Sequence, residues 1–127
     1  MKAKLWIGRV LTALTGTFVL TSGLNVLFLR SDAMVQGFTQ FGYPENAMTP
    51  IGIAAFVSGL LYLVPKTSFF GAILMTAYLG GATATHVRIN DPTLVAPVVT
   101  GMLTWAGLFL RDAHLRSLVM GGSRERN

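Results

Sequence analysis

The sequence predicts an all-α integral membrane protein, a four-helix bundle, and three observations predict it. The chain is 52% hydrophobic and only 12% charged, about half the ~25% charge of a soluble domain. Too few polar groups remain to cover a soluble surface. Four uncharged runs, at residues 10–29, 46–65, 67–87 and 92–110, each approach the ~20 residues that a spanning helix needs. None alternates strictly as the strands of a membrane barrel do, and a backbone in lipid must bond to itself, so the runs read as helices. The 127 residues allow one domain: a single four-helix transmembrane domain over 1–120, then a flexible cytoplasmic tail, "GGSRERN", over 121–127.

The first run follows the basic opening "MKAKLWIGR". It is longer than the ~7–15 residues of a signal-peptide core, and no A-x-A-like site follows, so the helix is expected to remain uncleaved. Next comes "SDAMVQGFTQFGY", residues 31–43, where Met34, Phe38 and Phe41 recur at i, i+4 and i+7. That spacing suits a short amphipathic helix on the membrane surface, able to act as a lid. Gly37 opposes it, and a loop whose aromatics dip into the headgroups is the equal alternative.

The second helix is expected to begin with Pro44 at its first position, where the missing N–H costs nothing. A start at Pro50 would leave a helix too short to span, so Pro50 is expected inside it, freeing the carbonyl of Asn46. The third helix carries Ala77, Gly81 and Thr85 at four-residue spacing, with Gly80 and Ala84 beside them. Small residues let helices approach closely, so "YLGGATAT" reads as a packing surface. The fourth repeats the second: Asp91 as N-cap, Pro92 at the first position, Pro97 inside. Two proline kinks at similar depth point to a cavity at that level, because the freed carbonyls need water or another protein group.

Lys2, Lys4, Arg9, Lys66, Arg111, Arg116, Arg124 and Arg126 fall on one side of these spans, against only Arg30 and Arg88 on the other. By the positive-inside rule both termini are cytoplasmic, in a multi-pass protein of the bacterial inner membrane. "GGATATHVRIND", residues 80–91, then faces outward. Trp6 and Tyr62 are expected in the inner aromatic belt and Tyr43 in the outer one.

The chain has no cysteine, which excludes disulfides, thiolate metal sites and thiol relays. Its net charge of +5 suits anionic lipid headgroups rather than nucleic acid. His86 shares a helix face with Ala82 and Tyr78 and is a candidate proton carrier. The other histidine, His114, lies across the ~30 Å hydrocarbon layer, so the two cannot share a metal or haem, and no metal site is expected. Glu45 starts the second helix, where it can meet His86 or Arg88 as an acid–base pair or a salt bridge. Arg88 suits an anionic or carbonyl oxygen, or snorkels. Asn25, the most polar side chain within a run, needs a partner or faces the cavity. No charged residue lies mid-span, which argues against an ion pump.

Four strings, "FGYPENAMTPIGIA", "YLVPKT", "GAILMTAYLGGATATHVR" and "WAGLFLRDAHLRSL", resemble the DoxX-like family of small four-helix membrane proteins over roughly residues 9–118. Tyr43, Glu45, His86 and Arg88 fit its recurrent polar motifs. The resemblance implies a four-helix bundle with cytoplasmic termini. The family is named after a membrane subunit of a thiosulfate:quinone oxidoreductase, and other members are linked to quinone or oxidative stress. Three functions stay open. The first is a quinone- or lipophile-binding accessory subunit of a membrane oxidoreductase system, with Asn25, Tyr43, Tyr78 and Arg88 as ligand contacts and no covalently bound cofactor. The second is a small membrane enzyme using Glu45 and His86 as general acid and base. The third is a structural scaffold. The partners are the bilayer, a lipophilic small molecule, a redox protein and a second copy of the chain through small-residue faces.

Overall fold

The structure, a computed structural model, describes residues 2–121. The expected tail therefore lies, Gly121 apart, outside the described residues. Six α-helices run in chain order: α1 Lys2–Leu24, α2 Asp32–Gln40, α3 Met48–Leu63, α4 Ser68–Arg88, α5 Val95–Arg111 and α6 Ala113–Val119. No strand occurs among the described residues. The four long helices form a closed ring in which α1 packs on α3 and α5, and α4 packs on the same two. Both ends of the described chain lie at one end of this ring, α2 at the other.

Three stretches are long and apolar enough to cross a membrane: Lys2–Leu29, Glu45–Leu63 and Pro92–Arg111. The α4 helix is long enough at 21 residues, but its glycines, serine and threonines dilute its apolar content. The outside of the ring carries large apolar side chains, and its apolar core includes several hydroxyls. Leu14, Phe18 and Met102 stand exposed, while Thr12, Thr15, Ser58, Ser68 and Thr104 are buried. Large apolar side chains exposed along all four long helices fit lipid as the solvent.

The prolines are accommodated differently from the expected interior kinks. Helix α3 opens with a 3₁₀ turn, Glu45–Ala47, and α5 with another, Pro92–Leu94. Pro50 and Pro97 then each occupy the third residue of the α-helix proper. There a missing N–H costs least, because first-turn donors have few intrahelical acceptors. A third such turn, Pro65–Thr67, joins α3 to α4. The irregularity that the sequence does not announce is in α1, which ends in a π-helical turn, Asn25–Leu29.

The surface segment is helical despite Gly37: Ser31 caps α2 by accepting from the Met34 N–H at 3.3 Å. Gly42, at φ 90°, closes it with bonds from Gly42 N to Thr39 O and from Tyr43 N to Phe38 O, a Schellman cap. Asn90, at φ 57°, ends α4 the same way, through Asn90 N to Val87 O and Asp91 N to His86 O. Helix α6 is not expected from the sequence pattern; Asp112 caps it by accepting from Leu115 N at 3.1 Å.

Close packing lies elsewhere than expected. A Cβ on Gly23 would stand 2.6 Å from Phe56 N, one on Gly59 2.8 Å from Leu20 N, and one on Gly8 2.8 Å from Gly107 O. These glycines press α1 against α3 and α5. Gly80 and Gly81 have open space instead, so "YLGGATAT" is not a tight interface.

Tyr62 is no belt residue. It is fully buried, and its hydroxyl donates to Thr104 O at 2.6 Å. The Thr12 hydroxyl lies 3.3 Å from it. Ser68 donates to Tyr62 O at 2.7 Å. Arg111 donates to Thr12 Oγ1 at 2.9 Å and also to Ser68 Oγ. One satisfied network thus ties all four long helices together at the terminal end, where low polarity strengthens each bond.

Candidate functional site

At the α2 end, between α3 and α4, lies a cavity of about 390 Å³. Pro50, Ile51 and Ala54 of α3 form one wall. Ala77, Tyr78, Gly81, Ala82, Thr85 and His86 of α4 form the other, and Phe38, Phe41 and Tyr43 roof it. The cavity exists because the α4 wall is built from small residues at helical spacing. Pro50, Ala54, Ala77 and Gly81 remain exposed, so the cavity opens sideways, where lipid would stand.

The polar groups on this wall have defined roles. His86 Nδ1 lies 2.7 Å from Ala82 O. A carbonyl only accepts, so Nδ1 carries the proton, and in the neutral ring Nε2 offers a lone pair. The ring packs against Phe41 at 4.7 Å between centroids. The Thr85 hydroxyl donates to Gly81 O at 2.9 Å, so Tyr43, 2.8 Å away, donates its own hydroxyl hydrogen to Thr85. The half-buried Tyr78 makes no hydrogen bond among the described residues, so its hydroxyl is available to a ligand.

A second cavity, of about 200 Å³, lies between α1, α4 and α5. Its walls include Ser22, Thr93, Pro97 and Thr100, and it shares Tyr78, Ala82 and His86 with the first. The helix face picked out in the sequence is therefore the partition between two cavities. Pro50 and Pro97, the first-turn prolines of α3 and α5, each line one of them.

Of the expected site residues, Tyr43, Tyr78 and His86 come together. Arg88 does not face the cavity. It donates to Phe41 O, lies 5.9 Å over the Tyr43 ring and crowds Gly42. It clips the segment after α2 onto the end of α4. Glu45 is exposed, lies off the cavity wall and makes no ion pair with His86 or Arg88. The 3₁₀ turn that accommodates Pro50 places it at the very start of the helix. Asn25 opens the π turn of α1 and borders neither cavity. Arg30, beyond that turn, donates to Thr49 Oγ1 at 2.8 Å and joins α1 to α3.

Asp91 caps the turn into α5. The backbone N–H of Thr93 at 2.9 Å, and then its hydroxyl at 2.8 Å, donate to Asp91 Oδ1 and hold its carboxyl below the usual carboxylate range. Attraction from His86 adds a smaller pull in the same direction.

Two features of the site run against the sequence pattern. Ala77, Gly81 and Thr85 have the spacing of a packing stripe, yet they line a void. The second cavity is signalled in the sequence only by Pro97 and the Tyr78–Ala82–His86 face; its α1 wall is not, because nothing periodic separates Ser22 from ordinary helix-facing residues.

In comparisons with known proteins, the model of the DoxX-like family matches residues 10–107. No curated protein and no solved structure matches the chain.

Proposed function

Because the chain belongs to the DoxX-like family, we propose that it is a membrane-embedded accessory subunit holding a lipophilic ligand of the quinone class in the cleft between α3 and α4. The observation that carries this reading is the cleft itself. Its volume of about 390 Å³ falls within the ~300–1,000 Å³ usual for small-molecule sites. Its walls are apolar and aromatic, with a few polar points. Tyr78 can donate to a carbonyl oxygen, and His86 Nε2 can accept from the hydroxyl of a reduced ring. The side opening lets an isoprenoid tail stay in lipid while the head enters.

In this reading all four long helices cross the bilayer of the bacterial inner membrane, with both termini cytoplasmic. The basic residues Arg9, Lys66, Arg111 and Arg116 sit at the terminal end of the ring, as the positive-inside rule asks. In this reading the redox step belongs to the ligand and a partner oxidoreductase. Acid–base catalysis finds less support, since Glu45 lies off the cavity wall and makes no ion pair with His86.

The test is extraction from native membranes in mild detergent and analysis of the lipids that co-purify. Enrichment of a quinone over the total membrane extract is the expected result. A lipid profile identical to the bulk membrane sinks the proposal and leaves a scaffold.

A further inference from the structure

At the opposite end of the molecule is a cavity of different chemistry. It has a volume of about 380 Å³ and lies among the first turns of α1, the end of α3 and the end of α5. Arg9 and Arg111 both line it, together with the Thr12 hydroxyl. Leu5, Ala13 and Leu63 supply an apolar side. No carboxylate among the described residues borders it.

Neither arginine has an anionic partner among the described residues. Arg111 is partly buried, and its hydrogen bonds go to the neutral hydroxyls of Thr12 and Ser68. Arg9 stands 5.8 Å over the Trp6 ring and makes no ion pair among the described residues. Asp112, next in sequence to Arg111, spends its carboxylate on the Leu115 N–H. A partly buried guanidinium such as that of Arg111 is costly without an anion, and with the exposed Arg9 on the same cavity it forms a multidentate receptor for phosphate oxygens.

We propose that this cavity binds a phosphate group between Arg9 and Arg111. The adjoining leucines and the exposed Trp6 favour the headgroup of an anionic phospholipid, whose acyl chain would lie along Leu5 and Leu63. The bound lipid bridges α1, α3 and α5 and completes the network around Tyr62 with the one charge it lacks. This site is independent of whatever occupies the outer cleft.

The experiment measures thermal unfolding of the detergent-purified protein against added phosphatidylglycerol, phosphatidylcholine or inorganic phosphate. Phosphatidylglycerol is expected to raise the melting temperature and phosphatidylcholine is not. Arg9→Gln, at an exposed residue outside the Tyr62 network, should fold normally and bind phosphatidylglycerol about tenfold more weakly, the order expected for one charge-assisted contact. Lys4→Gln removes the same charge outside the cavity and should leave binding unchanged. Equal stabilisation by inorganic phosphate, lost in Arg9→Gln, keeps the site and assigns it to a free phosphate. If Lys4→Gln weakens binding as much as Arg9→Gln, or phosphatidylcholine stabilises as well as phosphatidylglycerol, the attraction is diffuse and the site is overturned.

Discussion

Replacing Gly81 with leucine should expel ligand from the outer cleft while making the empty protein more stable. A Cβ at Gly81 meets nothing within 4 Å, so the backbone admits a side chain there and the rest of it points into the cleft. Glycine within a helix costs ~0.8–1.0 kcal/mol relative to alanine, and leucine lies close to alanine. The ligand-free variant should therefore gain about 0.8 kcal/mol. The new isobutyl group projects from the wall of a cavity of only about 390 Å³, where a ring would otherwise lie. A ligand at a hundred times its Kd stabilises the wild type by ~2.7 kcal/mol; a hundredfold loss of affinity cuts this to ~0.4 kcal/mol. The order of stability then reverses, and with ligand the wild type leads by about 1.5 kcal/mol. Gly80→Leu is the control. It has the same open space and the same helix gain, but it does not line the cleft. The assay is thermal unfolding in detergent with and without a short-chain benzoquinone, beside a direct titration of binding. If Gly81→Leu binds like the wild type, or Gly80→Leu loses ligand equally, the reasoning is wrong.

Three further outcomes follow from other parts of the molecule. Arg88→Ala removes the clip on Phe41 O and the Tyr43 ring, so amide exchange over residues 32–43 should speed up while α1 and α5 stay protected; unchanged exchange would mean that the clip holds nothing. Tyr62→Phe deletes a fully buried hydroxyl bonded to Thr104 O and should lower stability by ~1–3 kcal/mol in chemical unfolding; a loss within error would show the network to be redundant. Asp91 has its carboxyl lowered by Thr93, so its contribution is complete above the ordinary carboxylate pKa of ~3.9 and is lost as pH falls through the lower folded value. The melting-temperature gap between wild type and Asp91→Ala should therefore be flat from pH 7 to pH 5 and close only in stronger acid; a gap that already closes between pH 7 and pH 5 contradicts this cause.

The helices were legible because lipid imposes length and apolarity on each span, and both can be counted along the chain. The start of the last long helix, with Asp91 as cap and Pro92 after it, was legible for a related reason: it depends on neighbours one to three residues away. What failed is three-dimensional. Gly81 and Gly59 look alike in sequence, yet one faces a void and the other presses on Leu20 N. Only the rotation of each helix within the ring decides between them. Tyr62 sits where a belt tyrosine would, but its partner Thr104 is far along the chain. Glu45 was expected beside His86 because both lie near the same end. The 3₁₀ turn that admits Pro50 instead leaves Glu45 exposed outside the cleft.

The small residues of α4 also explain why a cleft forms beside it. Ala77, Gly81 and Thr85 give α4 too little side chain to fill the gap toward α3. The dispersion attraction missing across that gap must be supplied elsewhere. It is supplied where the glycines bring α1 against α3 and α5, and by the Arg111–Thr12–Tyr62–Ser68 network at the far end. Rigidity is therefore concentrated at the terminal end, and open space at the α2 end. Phe38 and Phe41 roof the cleft outside the ring, held by the Arg88 clip, the Tyr43–Thr85 bond and the packing of Phe41 on His86. A ligand entering from lipid would meet a roof attached through a few side chains over a wall that already holds its shape.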